Sequence, residues 1–184
     1  YRTGIYGKWH LGDNYPMRPM DQGFQDSLIH RGGGIGQPSD PIGAEGKYTD
    51  PTLIKNGFET PMKGYCTDIY FDAAMGFIES AVKENDPFFT YIATNAPHGP
   101  YHDVPEALYQ EYLKVDFGPI MIHKNLNPAR LKSETDRLAR ICAMITNIDE
   151  NVGRLFKKLE QLGIRENTIV IYLNDNGPNS MRYV

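Results

Sequence analysis

Cysteine is scarce in this sequence, with two among 184 residues, and that excludes a disulfide-stapled scaffold. Cys66 and Cys142 are also too isolated to build a zinc site, so they leave the compartment open. No apolar run approaches the roughly 20 residues of a transmembrane helix, so this stretch carries no membrane span. There is no surplus of positive charge either. The 19 Lys and Arg stand against 23 Asp and Glu, a formal net charge of −4, which excludes the broad cationic surface that nucleic acid requires. Heptads, internal repeats and long low-complexity tracts are missing. So is a charged and apolar leader: Tyr1-Arg2-Thr3-Gly4-Ile5 enters as though a strand had been cut into, and the expectation is an internal piece of a larger protein.

What is present suits a folded chain of about one domain, with 40% hydrophobic and 23% charged residues. A short β-prone stretch at 3–6 ends in Gly7 and a polar cluster. From Pro16 to Lys63 the chain is rich in Gly and Pro, centred on Gly32-Gly33-Gly34-Ile35-Gly36, and reads as a long irregular excursion with a small hairpin at 53–61. Tyr70, Ala73, Ala74, Phe77, Ile78 and Ala81 have the three-and-four spacing of a helix over 68–83 with one buried face. Residues 88–94 are aromatic and β-branched, which predicts a parallel strand covered from both sides. Pro105 opens a short helix to Leu113. Asn127-Pro128 caps a long one ending at Gly163, with Leu138, Ile141, Ile145, Ile148, Val152, Leu155, Leu159 and Leu162 as its apolar stripe. Residues 168–173 predict another buried strand. Helix, strand and polar turn alternate, so the expected class is α/β, a mostly parallel sheet flanked by helices.

Sites in such sheets lie beyond the carboxyl ends of the strands. Three polar clusters are predicted there: Gly7-Lys8-Trp9-His10, Asn95-Ala96-Pro97-His98-Gly99-Pro100 and Asn174-Asp175-Asn176-Gly177. Taken singly each has an ordinary reading, as a turn with a solvated charge, a loop histidine and a common Asp-Asn-Gly turn. Together they offer an ammonium, two imidazoles, a carboxylate and a carboxamide, a set for an anionic substrate beside a hard cation. Hydrolysis of a sulfate monoester needs positive groups around the sulfuryl oxygens and a proton donor for the leaving oxygen, which Lys8, His10 and His98 can supply. Asp175 and Asn176 are oxygen ligands of the kind calcium or magnesium takes, two of the six to eight that calcium requires.

The segment Tyr1-Arg2-Thr3-Gly4-Ile5-Tyr6-Gly7-Lys8-Trp9-His10-Leu11-Gly12 resembles the second signature of the sulfatase family. Ala96-Pro97-His98 with Val104-Pro105 looks like that family's histidine loop. The run from Ile145 to Leu155, then Glu166-Asn167-Thr168-Ile169-Val170 and Asp175-Asn176-Gly177, is similar to its long helix, strand and metal turn, in order. The resemblance covers essentially the whole chain. It implies a partial alkaline-phosphatase-like fold, the central part of a catalytic domain spanning residues 1–184, and hydrolysis of a sulfated carbohydrate or aryl sulfate. Lys8 would bind the sulfate and the nucleophile, His10 would assist breakdown of the sulfated intermediate, and His98 would contact or protonate the leaving oxygen. Asp175 and Asn176 would be calcium ligands, with magnesium as the alternative, and the stretch from His30 to Gln37 either touches substrate or is a surface loop. A periplasmic, secreted or lysosomal location goes with the resemblance.

Two departures matter. The family's formylglycine nucleophile arises in a Cys-x-Pro-x-Arg type sequence, which the surroundings of neither Cys66 nor Cys142 match, so both cysteines are expected to be packing residues and the nucleophile to lie outside this stretch. The paired aspartates that complete the metal cage and the lysine expected after Asp-Asn-Gly are not found either. The fragment alone is therefore expected to be inactive, to bind calcium weakly or not at all, and to self-associate through cut sheet edges. Two alternatives stand beside the sulfatase reading: a phosphate or phosphonate ester hydrolase of the same superfamily, and a non-catalytic relative that binds sulfated glycans.

Overall fold

The computed structural model describes residues 1–42, 46–121 and 126–177. Five strands form one sheet: β1 (Arg2–Lys8), β2 (Asp26–His30), β3 (Thr52–Lys55), β4 (Phe58–Pro61) and β5 (Phe88–Ala93), in the order β4-β3-β2-β1-β5. The sheet is mixed. β1 runs parallel to both β2 and β5, while β3 and β4 make the antiparallel hairpin expected near residues 53–61. The hairpin turns at Asn56-Gly57, both with positive φ, the dipeptide favoured where two tight-turn residues must adopt that conformation.

Side chains alternate across the strands, and this sorts them into two cores. Tyr6 and Leu28 face α1 (Cys66–Lys83) and pack with its Tyr70, Ala74, Phe77 and Ile78. Ile5, Trp9, Ile29 and Ile54 make a smaller cluster on the opposite face, joined by Phe24. Helices α2 (Glu106–Tyr112) and α3 (Pro128–Gln161) complete the larger core. The Asn127 side chain caps α3 by accepting from the Arg130 amide at 2.9 Å, with Pro128 at the first helical position, as the sequence predicts.

The buried face of α3 is more polar than its apolar stripe suggests. Asn147 and Asn151 are buried, and each donates its amide to Asp68 Oδ1, at 2.8 and 2.6 Å, in the first turn of α1. Ile145, assigned to the stripe, is half exposed. Ion pairs between Arg154 and Asp72 and between Lys158 and Glu79 continue the same helix pairing outward. Hydrogen bonds to a charged acceptor are each worth about 1.5–3 kcal/mol. Asp68→Ala should therefore cost roughly 2–4 kcal/mol, since it takes the charged acceptor from two buried amides and leaves Asn151 only its bond to the Asn147 carbonyl. Chemical denaturation checks this, and a loss within ordinary surface-mutation noise would contradict it.

Two expectations are corrected. Residues 168–173 are not a buried strand: Ile169 is 90% exposed, Ile171 73% and Leu173 82%, and the segment is coil. β-branched composition marks a strand only where a neighbouring ladder and a face to bury against exist, and none of the described strands pairs with this one. β5 is parallel as expected but is not covered from both sides. Phe89 and Tyr91 are about half exposed while Phe88 and Ile92 pack on the larger core, so the alternation of a half-buried edge strand replaces the uniform burial of a central one.

Candidate active site

Lys8 ends β1 and His30 ends β2, and the two are Cα partners in the parallel ladder. Their side chains therefore share a face, the one covered by α1. Beyond them the two chains stay tied: the Trp9 amide donates to the His30 carbonyl at 3.1 Å and the His10 amide to that of Arg31 at 2.9 Å. His10 itself is exposed, with φ of 53°, a left-handed conformation that a non-glycine residue adopts at some cost and that clusters at functional positions.

The glycine-rich stretch that follows His30 is neither a loose loop nor apart from these residues. Gly32, Gly33, Gly34 and Ile35 are buried. Asp40 holds the stretch by accepting from the Arg31 amide at 2.6 Å and the Gly36 amide at 3.1 Å, and Gln37 accepts from the Gly33 amide at 2.8 Å. A Cβ on Gly33 would stand 3.1 Å from the His10 imidazole, and one on Gly34 would stand 3.8 Å from His98 Nδ1. Bare backbone is thus what separates the two histidines.

His98 is exposed on the loop that follows β5. Its amide donates to the Asn95 carbonyl at 2.8 Å, and its Nδ1 meets the Gly99 carbonyl at 2.5 Å. Buried Asn95 also accepts from the Cys66 thiol at 3.4 Å. Burial pushes that thiol up to about 12, which suits a structural donor and not a nucleophile, in line with its reading as a packing residue. Cys142 is half-buried and its thiol is likewise raised by burial.

Sequence reasoning reached Lys8, His10 and His98 but did not single out two buried groups among them, Tyr48 and His30, the latter named only as the start of a stretch that either touches substrate or is a surface loop. The His30 ring is 1% exposed and its Nδ1 lies 3.0 Å from the Tyr70 hydroxyl. A histidine at a strand's carboxyl end, just before three glycines, is the signal that could have marked it. Tyr48 is the second, fixed at the rim by Asp103, whose carboxylate takes the amides of Tyr48 and Thr49, both at 2.7 Å, and the Thr49 hydroxyl at 2.7 Å.

Burial pulls the His30 imidazole down to about 3, and the charges of Lys8, His10 and His98 act in the same direction. A histidine in the unfolded chain titrates near 6.5. Between those values the unfolded state holds the extra proton, so stability is full above the upper one and falls as pH drops through the window. The loss between neutrality and about pH 5 is about 2 kcal/mol from this group. Denaturation midpoints measured across that range should show a slope that His30→Phe flattens. An equal slope in the variant contradicts the assignment.

Asp175 and Asn176 are exposed, and the hydrogen bonds described for them stay within their own turn: the Asn176 amide to Asp175 Oδ1 at 2.8 Å and its side chain to the Gly177 carbonyl at 2.7 Å. They follow the coil of residues 168–173, so the third cluster is not carried to the rim by a strand as the first two are. Among the described residues no three His, Cys, Asp or Glu side chains gather as metal ligands would. These residues by themselves do not form the cage of a cation.

Comparison with known proteins bears on the same stretch. The family model described as Sulfatase matches residues 1–183. An arylsulfatase of Klebsiella aerogenes is 28% identical over 97% of this chain and 45% of its own length. The N-acetylgalactosamine-6-sulfatase of Rattus norvegicus is 25% identical over 96% of the chain and 30% of its own. Among solved structures, Ps i-CgsB in complex with k-i-k-neocarrahexaose superposes with a TM-score of 0.67 at 24% identity, covering 89% of this chain and 34% of that one. BT4656 in complex with its substrate D-glucosamine-2-N,6-O-disulfate gives 0.59 at 22% identity, covering 91% and 45%. These structural likenesses speak for the fold. The chain spans less than half the length of each of these relatives.

Proposed function

Because the chain belongs to the sulfatase family, we propose that the complete protein is a sulfuric ester hydrolase acting on a sulfated carbohydrate or an aryl sulfate, with residues 1–184 as the central part of its catalytic domain. Family membership implies a metal cofactor in general; calcium is the proposed ion, with magnesium as alternative, and Asp175 and Asn176 would give two of its oxygen ligands. Among the described residues no helix is long and apolar enough to cross a membrane, and a periplasmic, secreted or lysosomal location is proposed with the activity.

What supports this reading is that Lys8 pairs with His30 at the carboxyl ends of two parallel strands, while His10 and His98 stand beside the bare backbone of Gly33 and Gly34 that follows. An ammonium and two imidazoles can supply the positive charge that an oxyanion needs. Lys8 would hold a sulfuryl oxygen, His10 would serve the breakdown of the sulfated intermediate, and His98 would stand at the leaving oxygen and give it a proton. The formylglycine of the family would supply the attacking oxygen. The names of the similar structures, which include k-i-k-neocarrahexaose and D-glucosamine-2-N,6-O-disulfate, support carbohydrate as the substrate class.

The complete gene product should release sulfate from 4-nitrophenyl sulfate or from sulfated monosaccharides, measured by ion chromatography. Phosphate released from the matching phosphate esters at a higher kcat/KM would move the assignment to a phosphoryl hydrolase. Binding of sulfated sugar with no turnover of any ester would move it to a lectin-like relative.

A further inference from the structure

The Gly99 carbonyl is the centre of an arrangement that the roles above do not use. It faces His98 Nδ1 at 2.5 Å and accepts from the Tyr48 hydroxyl at 3.0 Å. A carbonyl only accepts, so the imidazole nitrogen against it must carry its proton. The second nitrogen, Nε2, lies outside that bond. Tyr48 is fully buried, and its hydroxyl also lies 3.3 Å from the His98 carbonyl and 3.3 Å from where a Gly34 Cβ would be. Its backbone is pinned on both sides, the amide by Asp103 at 2.7 Å and the carbonyl by the Cys66 amide at 2.7 Å. Burial pushes the phenol up to about 12, so it stays a donor throughout the working range.

We propose that Tyr48 is a positioning residue for His98: by holding the Gly99 carbonyl it fixes the imidazole with its proton on Nδ1 and aims Nε2 at the leaving oxygen of the ester. The inference rests on the reading of His98 as the group at that oxygen. When the S–O bond breaks, its electron pair goes to the leaving oxygen, the sulfuryl group passes to the attacking oxygen, and the proton on Nε2 of protonated His98 moves to the leaving oxygen. The imidazole is left neutral with its remaining proton on Nδ1, the tautomer that the carbonyl already holds. An orienting partner behind a catalytic imidazole acts in this way in other hydrolases, where the wrong tautomer abolishes most of the rate.

The test is the dependence of kcat/KM on the leaving group, measured on the complete protein with substituted phenyl sulfates running from 4-nitrophenyl to 4-methoxyphenyl. Phenols that leave readily need no proton and poor ones do, so loss of general acid catalysis steepens the slope. Tyr48→Phe, which removes one oxygen, should leave 4-nitrophenyl sulfate within about threefold of wild type and slow the 4-methoxyphenyl ester roughly tenfold or more. His98→Ala should steepen the plot further. A Tyr48→Phe slope equal to wild type overturns the inference. A His98→Ala slope equal to wild type overturns instead the reading of His98 on which it rests. Nitrogen-15 shifts of the His98 ring give a readout independent of turnover: neutral His98 in the wild-type protein should carry its proton on Nδ1, and Tyr48→Phe should lose that preference. An Nε2 proton in wild type, or no change in the variant, contradicts the proposal.

Discussion

Lys8→Ala should lower kcat/KM of the complete protein for a sulfate ester by roughly a thousandfold. A lysine about 4 Å from one anionic oxygen is worth on the order of 4 kcal/mol at an effective dielectric near 20, and each 1.36 kcal/mol is a factor of ten in rate. The effect should divide between the two parameters. If Lys8 grips the ground-state sulfate and the transition state alike, KM rises; if it meets charge that grows on the sulfuryl oxygens, kcat falls. Arginine should substitute poorly at this position. Lys8 is half-buried and pairs with buried His30, and arginine's planar fork cannot reproduce the compact point charge of an ammonium. Steady-state kinetics of Lys8→Ala and Lys8→Arg check this, and a loss below tenfold in the alanine variant would remove Lys8 from the sulfate site.

Gly7→Ala should abolish the fold. A Cβ at this position would stand 1.9 Å from the Ala93 carbonyl oxygen and 2.6 Å from its carbon, and Gly7 has φ of +120°. Gly7 pairs with Ala93 across β1 and β5, so the clash is between two backbones that neither rotamer change nor a flexible side chain can relieve. The φ adds strain that side-chain-bearing residues rarely tolerate. Together they place the cost beyond about 4 kcal/mol, the range of exceptional single mutations. The consequence reaches the chemistry, because Lys8 and His10 leave β1 through Gly7. Soluble yield and circular dichroism of the variant decide the matter, and a cooperative melt near that of wild type would contradict the close approach.

The helices were legible because their periodicity is long and strong. Residues 68–83 and 127–163 carry three-and-four spacing over many turns, and the structure forms α1 and α3 there with ends within two residues of those expected. The hairpin was expected at 53–61, where the structure turns at Asn56-Gly57, and the strand at 88–94 was marked by its β-branched and aromatic content. What the one-dimensional pattern lacked was the neighbour of each strand. The residues at 168–173 have the composition of a buried strand and none of the described strands to pair with, while Phe89 and Tyr91 face outward because β5 lies at the sheet's edge.

The same division holds at the site. Lys8, His10 and His98 stand out because ammonium and imidazole groups beside Gly and Pro at strand ends are chemically conspicuous. Asp175 and Asn176 were equally conspicuous, but their approach depended on a strand that the described residues do not form. His30, Tyr48 and Asp103 act through contacts 40 to 55 residues distant in sequence, such as the bond from His30 to Tyr70 and the one from Tyr48 to Asp103. Neither spacing nor composition carries that information. The glycines at 32–34 were visible, and the neighbours that crowd a Cβ there were not: Gln37 at Gly32, His10 at Gly33 and the Tyr48 hydroxyl at Gly34.

The most direct measurement is a crystal structure of the complete protein with a sulfated monosaccharide bound to a variant too slow to consume it. The sulfuryl group is expected between Lys8 and His98, against the backbone of Gly33 and Gly34, with Nε2 of His98 within hydrogen-bond reach of the bridging oxygen. A sugar seated with its sulfate on another part of the molecule, leaving Lys8, His10 and His98 in contact with water alone, would contradict the account.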